Sequence, residues 1–189
     1  MRILVRRILA GSAVLTALAL AGCAAAPIPT WTNSPDPVVA PVFASNDEAL
    51  AAAVTSYEAY GAMSNQITNE GGVNPERITD FVSDAYLAVV LGSFASVQDD
   101  GLVGSGSSAF DTVSLVRYDD DSAASASVRV YLCLDVTDVV FTDLGGNVTT
   151  PPERRNRIPL EVSLISSPSA STKLVVDKEE TWPGNDFCS

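Results

Sequence analysis

The chain contains no histidine. That excludes Ser-His-Asp and Cys-His nucleophilic catalysis, an imidazole general base and a histidine metal ligand together. Lysine is almost as scarce, with only Lys173 and Lys178. Neither GxSxG nor SxxK occurs, so the common serine-nucleophile signatures are missing too. Basic residues number 11 against 23 acidic ones, and Arg2, Arg6 and Arg7 all sit at the extreme amino end. A formal charge of −12 excludes holding nucleic acid by phosphate neutralisation and adhering to anionic lipid by charge. There is no CxxC, hence no redox-active dithiol of that kind. What is present is an apolar fraction of 47% over 189 residues, enough for one globular domain with extensions.

The amino end reads as a secretion signal, residues 1–22. Arg2, Arg6 and Arg7 form a positive region ahead of an apolar stretch at residues 8–20. That stretch is shorter than the ~20 residues a spanning helix needs. It ends in Leu20-Ala21-Gly22-Cys23, which resembles the bacterial lipobox. Small residues there give a peptidase access to the backbone, and the thiol of Cys23 is the nucleophile that takes a diacylglyceryl group. Arg6-Arg7 also allows a twin-arginine reading, but its neighbours fit the general secretion route better. The expected product begins at Cys23 and is held by acyl chains such as palmitate, two of which give a stable anchor. Residues 23–44 carry Pro27, Pro29, Pro35, Pro37 and Pro41 and read as an extended tether. Its ~20 residues reach ~60 Å at ~3.1 Å each. Trp31, inside it, has no assigned role.

Residues 45–189 read as an α+β domain. Ser45 and Glu48 have capping-box spacing, and Leu50, Val54, Tyr57 and Gly61 continue at helical spacing toward Gly71-Gly72. Asn74-Pro75 predicts a short second helix with Asn74 as cap, carrying Ile78, Phe81 and Val82. Ser83 or Asp84 caps a third helix ending near Gly101. Residues 104–108 read as a loop, after which the period becomes two. Strands are expected at residues 110–118, 128–141, 158–165 and 174–182, with a hairpin turn at residues 143–147 around Gly145-Gly146. The predicted fold is about three N-terminal helices packed on a curved four-stranded antiparallel sheet, a cone-shaped, cystatin-like layout.

With Cys23 lipidated, Cys133 and Cys188 remain, and an extracytoplasmic pair reads as a disulfide. It would pin the tail from Trp182 to Cys188 onto the strand that carries Cys133. Gly104-Ser105-Gly106-Ser107-Ser108-Ala109 matches GxGxxA, but it follows a helix and precedes a strand, the reverse of a dinucleotide site. Asp119-Asp120-Asp121 lacks the glycine and glutamate of a calcium loop and reads as a solvated turn. Arg154, Arg155 and Arg157 form the one basic cluster beyond the amino end, read as a solvated strand start or as a docking patch for an anionic partner. No cofactor or metal ligand set is expected. For catalysis only carboxylates and tyrosines remain. Asp135 and Tyr131 share a strand face and are the candidates, with Tyr57, Tyr60 and Tyr86 on helices above. Asp135 is in phase with Cys133, which turns it toward the tail and favours an ordinary strand aspartate.

This order of elements resembles the nuclear-transport-factor-two-like (SnoaL-like, cone-shaped) superfamily. More narrowly, Asn74-Pro75-Glu76-Arg77-Ile78, Val130-Tyr131-Leu132-Cys133-Leu134-Asp135 and the tail ending in Cys188 resemble small actinobacterial lipoproteins. The superfamily includes dehydratases, isomerases, cyclases and non-catalytic binding domains, and fold does not choose among them. In its isomerases a buried Asp base faces Tyr donors. Three functions are therefore expected. The first is a lipid-anchored, non-enzymatic binding or interaction module on the outer face of the cell membrane, taking an envelope protein or a small apolar ligand. The second is a small isomerase or dehydratase using Asp and Tyr. The third is a folded spacer. A deep cavity holding a carboxylate beside tyrosines would favour the enzyme, and a filled interior would favour interaction or spacing. Cys23→Ala is expected to abolish membrane retention. Salt-washed membranes that still hold the variant would overturn the anchor reading, because an acyl anchor on an acidic chain is insensitive to salt.

Overall fold

A computed structural model describes residues 40–121 and 124–188. The signal segment, Cys23, Trp31 and nearly all of the proline-rich stretch lie outside the described residues. Within them the order is α1 (Asn46–Asn69), a 3-10 helix (Pro75–Phe81), α2 (Asp84–Asp99) and six strands. The strands are β1 (Val103–Ser105), β2 (Ala109–Asp120), β3 (Ala126–Asp135), β4 (Val140–Thr142), β5 (Arg157–Ser167) and β6 (Ala170–Thr181). The α+β class is as expected. Four strands form an antiparallel sheet in the order β2-β3-β5-β6, and the helices cover one of its faces.

The helix starts follow their side chains. Ser45 Oγ accepts from Glu48 N at 3.2 Å, and Glu48 Oε2 accepts from Ala44 N at 2.8 Å. α1 buries Ala49, Ala53, Tyr57, Tyr60 and Ile67 along one stripe. It ends at Asn69, and the turn that follows passes through Gly72, whose φ is +78°; a Cβ there would run into the Phe94 carbonyl of α2. The second helix is 3-10 rather than α, and Asn74 makes no side-chain cap: its backbone is left-handed, at φ 51°. Proline at the first position suits either helix, so the sequence pattern does not separate them. Ser83, not Asp84, caps α2, with Oγ accepting from Tyr86 N at 3.2 Å.

The core lies between helices and sheet. Val128, Val130 and Leu132 of β3 pair with Leu164, Val162 and Leu160 of β5, and all six are buried. β2 is an edge strand that slips register at Asp111/Ser114 and at Leu115/Arg117, which bends the sheet. Phe43 is 3% exposed and stacks edge-on against Tyr118, so the packed unit takes in the end of the proline-rich stretch. The strand expected to run to residue 141 ends at Asp135 instead. Asp135 Oδ1 accepts from Thr137 N at 2.9 Å, an Asx-type turn that stops the ladder. Residues 140–142 then form β4, which pairs with β1 in a separate two-stranded sheet, and β1 takes in Gly104 and Ser105, which read as loop.

The opposite sheet face carries the tail. Cys133 and Cys188 are joined by a disulfide across 55 residues. Tyr131 packs against Trp182 and Phe187, with ring centroids 4.7 and 5.7 Å away. Trp182 N donates to Pro159 O at 2.8 Å, and Arg157 Nε donates to Cys188 O at 2.8 Å. Closing a loop of this length is worth ~4 kcal/mol in the chain-entropy account. Reduction is therefore expected to lower the melting temperature by roughly 10 °C. Truncation after Thr181 should cost about as much, and the two should not add, because both release the same tail. Calorimetry of the two changes alone and together checks this, and full additivity would refute a shared element.

Candidate functional site

A cavity of about 610 Å³ opens between α1 and the neighbouring ends of β2 and β3. Its apolar wall is Val54, Tyr57, Phe110, Val113 and Leu134, and its polar groups include Ser64, Asn65 and Glu179. Asn65 shapes the rim: its Oδ1 accepts from Ser108 N and Oγ at 3.0 and 2.9 Å, and its Nδ2 donates to Ser108 O at 3.2 Å. One side chain thus ties the segment entering β2 to α1.

Glu179 reaches the cavity because β6 carries one residue too many. Leu164 pairs with Val176, but Ser163 pairs with Lys178, leaving Asp177 as a bulge. Past it the alternation is inverted. Glu179 lies opposite Val162, on the helix-facing side, where strict alternation from Val176 would have put Lys178. Three hydroxyls meet the carboxylate. Tyr57 donates to Oε1 at 2.6 Å, Tyr60 to Oε2 at 2.9 Å and Tyr86 to Oε2 at 3.3 Å. Tyr57 also stands edge-on to Phe110 at 4.9 Å. Burial first, and the Glu179 charge second, push all three phenols well above their ordinary value of 10.0. They are donors, not acids, at any physiological pH.

The bulge also fixes α2. Ser83 Oγ donates to Asp177 Oδ1 at 2.6 Å, and Ser83 N donates to Val176 O at 2.8 Å. Tyr86, one turn further on, is thereby aimed at Glu179.

The sequence-derived candidates lie elsewhere. Asp135 and Tyr131 are on the tail-covered face. Asp135 is held below the ordinary carboxylate range by Thr137 first and Arg157 second, and Arg157 Nη1 lies 3.0 Å from its Oδ2. A carboxyl tied down this way is a poor proton acceptor. The arginine cluster is also engaged within the chain. Arg154 donates to the carbonyls of Val136 and Val139, Arg155 pairs with Asp186, and Arg157 bridges Asp111 and Asp135. Tyr57, Tyr60 and Tyr86 do stand at the cavity side, but the carboxylate they meet is Glu179. Its sequence context, Lys178-Glu179-Glu180, looks like a solvated strand end, and nothing in it marks the bulge.

A second cavity of about 430 Å³ lies between the 3-10 helix and the β5–β6 turn. Two of its polar side chains are tied within the fold, Ser83 to Asp177 and Lys173 to the Asp80 carbonyl. Among the described residues no cluster of acidic or cysteine side chains is arranged to hold a metal ion. No helix among them is long and apolar enough to cross a membrane.

No protein-family model matches the chain, and no curated protein does. Solved structures share its architecture at low identity. The intermembrane space region of the chloroplast protein ARC6 superposes at TM-score 0.51 with 12% identity, over 70% of this chain and 95% of that one. A periplasmic fragment of TraM gives 0.46 and 9%, over 72% and 96%. Aln2 from a Streptomyces species gives 0.36 and 14%, over 72% and 93%. Identities this low speak to fold alone, and only the first of these superpositions is strong enough to do so.

The tyrosine–glutamate cluster has a signature in alkali. Above pH ~10 the unfolded chain releases its phenol protons while the folded chain keeps those of Tyr57, Tyr60 and Tyr86. The folded state then binds more protons, so stability is complete below that pH and falls as pH rises through it. Tyrosinate absorbance from these three residues should appear in step with loss of circular dichroism. Their ionisation in a still-folded protein would contradict the geometry.

Proposed function

We propose that this is an envelope-anchored binding domain. It is held at the outer face of the membrane by acyl chains on Cys23 and set off by the proline-rich tether. It takes a small, mostly apolar molecule between α1 and the sheet. The observation that carries this reading is the cavity of about 610 Å³, within the range that binds small molecules and left unfilled by the domain's own side chains. A spacer has no use for such a space. The match to an intermembrane-space region is compatible with a domain working outside the cytosol.

A carboxylate beside tyrosines is the feature that would favour the isomerase or dehydratase reading. Here the hydroxyls of Tyr57, Tyr60 and Tyr86 are all turned onto Glu179 itself. None of the three is left to meet a developing oxyanion, the role tyrosines would fill in such an enzyme. Binding is therefore the better account of these residues.

Gly61 allows a clean test. It lines the cavity, and a Cβ built on it meets nothing within 4 Å. Gly61→Phe is expected to leave the melting temperature within a few degrees, since a helical glycine is replaced without a clash at Cβ. It should weaken binding of the neutral dye N-phenyl-1-naphthylamine by at least about tenfold, which is ~1.4 kcal/mol. Equal dye affinity in the two proteins would refute the cavity as the binding site.

A further inference from the structure

We infer, resting on the reading of this cavity as a ligand site, that its occupant is an organic cation: a protonated amine carried on an apolar body. The argument starts from the charge of Glu179. Among the described residues no lysine or arginine pairs with it, and none lines the cavity. Its partners are neutral phenols, which share its hydrogen bonds without cancelling its charge. Glu58, at the cavity edge, is a second acidic group.

A ligand entering this space displaces water from a half-buried carboxylate. A neutral body leaves that charge desolvated and unmatched, an anion adds repulsion, and an ammonium group matches it. The hydrogen-bond count points the same way. A carboxylate offers about four acceptor positions, and the tyrosines use both sites on Oε2 and one on Oε1. The free position on Oε1 takes one N–H, and a charge-assisted bond there is the strong kind. The rings of Tyr57, Tyr60 and Phe110 line the same space, and aromatic faces attract ammonium groups. The acidic excess of the whole chain, 23 against 11, draws cations toward the entrance.

The test is calorimetric titration of the full chain, as isolated from an expressing bacterium, with three probes of similar size: benzylammonium, benzyl alcohol and phenylacetate. Benzylammonium is expected to bind at least about tenfold more tightly than benzyl alcohol, and phenylacetate not at all. Glu179→Gln should bring the ammonium-to-alcohol ratio close to one. Gly61→Phe should abolish binding of both. Benzyl alcohol binding as tightly as benzylammonium to the unaltered protein would overturn the charge inference and leave the cavity reading intact. Benzylammonium binding that survives Gly61→Phe would overturn the inference by placing the cation on the outer surface. Binding of none of the three would defeat both readings. The comparison among probes needs no variant, so a folding defect in Glu179→Gln would not remove it.

Discussion

One surplus residue in β6 organises the helical half of the molecule. Asp177 breaks the β5–β6 register, and two results follow from that single slip. Its side chain accepts the Ser83 hydroxyl that begins α2, so the helix is seated on the bulge itself. The inverted phase beyond it turns a glutamate, not a lysine, under α1. The three tyrosines then have one common acceptor, and α1, α2 and the sheet meet at a polar point inside an apolar interface. A polar group drawn into such an interface is steadied by hydrogen bonds, and Glu179 takes three of them, from two helices at once. The cluster therefore specifies how the helices sit on the sheet as well as what faces the cavity.

The other sheet face is closed differently. Cys133 faces away from the core, and exposed it would leave a bare apolar patch on the central strand with Tyr131 and Pro159. The last residues of the chain cover that patch, held by the disulfide and by Arg157 on the Cys188 carbonyl. Arg157 also spans Asp111 and Asp135, so one guanidinium ties β2, β3 and the tail together. These ion pairs are partly solvated and individually weak, and the covalent bond does most of the fastening.

Much of the fold was legible because it rests on local signals. Ser45 and Ser83 cap where their spacing says they should, and the two periods separate the helical half from the sheet. The disulfide was legible from cysteine arithmetic, and the packing of Trp182 and Phe187 against the sheet from their place beside it. What was not legible depends on register. Alternation in residues 174–182 says nothing of a bulge, because the partner strand decides where a surplus residue sits. The candidate base was sought at Asp135, where strand phase is regular, and the cavity carboxylate came from Glu179, where it is not. The end of β3 was missed for a similar reason: Val136 and Val139 continue an apolar pattern, while the Asp135 turn and the β1–β4 pairing redirect the chain.

The clasp on Phe43 determines where mechanical load enters the domain. Phe43 N donates to the Tyr118 hydroxyl at 2.8 Å, Val42 N donates to Asp120 Oδ1 at 3.1 Å, and the Phe43 ring is buried against Tyr118. Tension in the preceding chain is therefore delivered to the far end of β2. The cavity borders the near end of the same strand, at Phe110 and Val113. Phe110 and Tyr118 are eight positions apart along the bulged β2, at most ~26 Å at ~3.3 Å each. Pulled from that side, the domain would yield first at the Phe43 buckle, at the end of β2 away from the cavity wall.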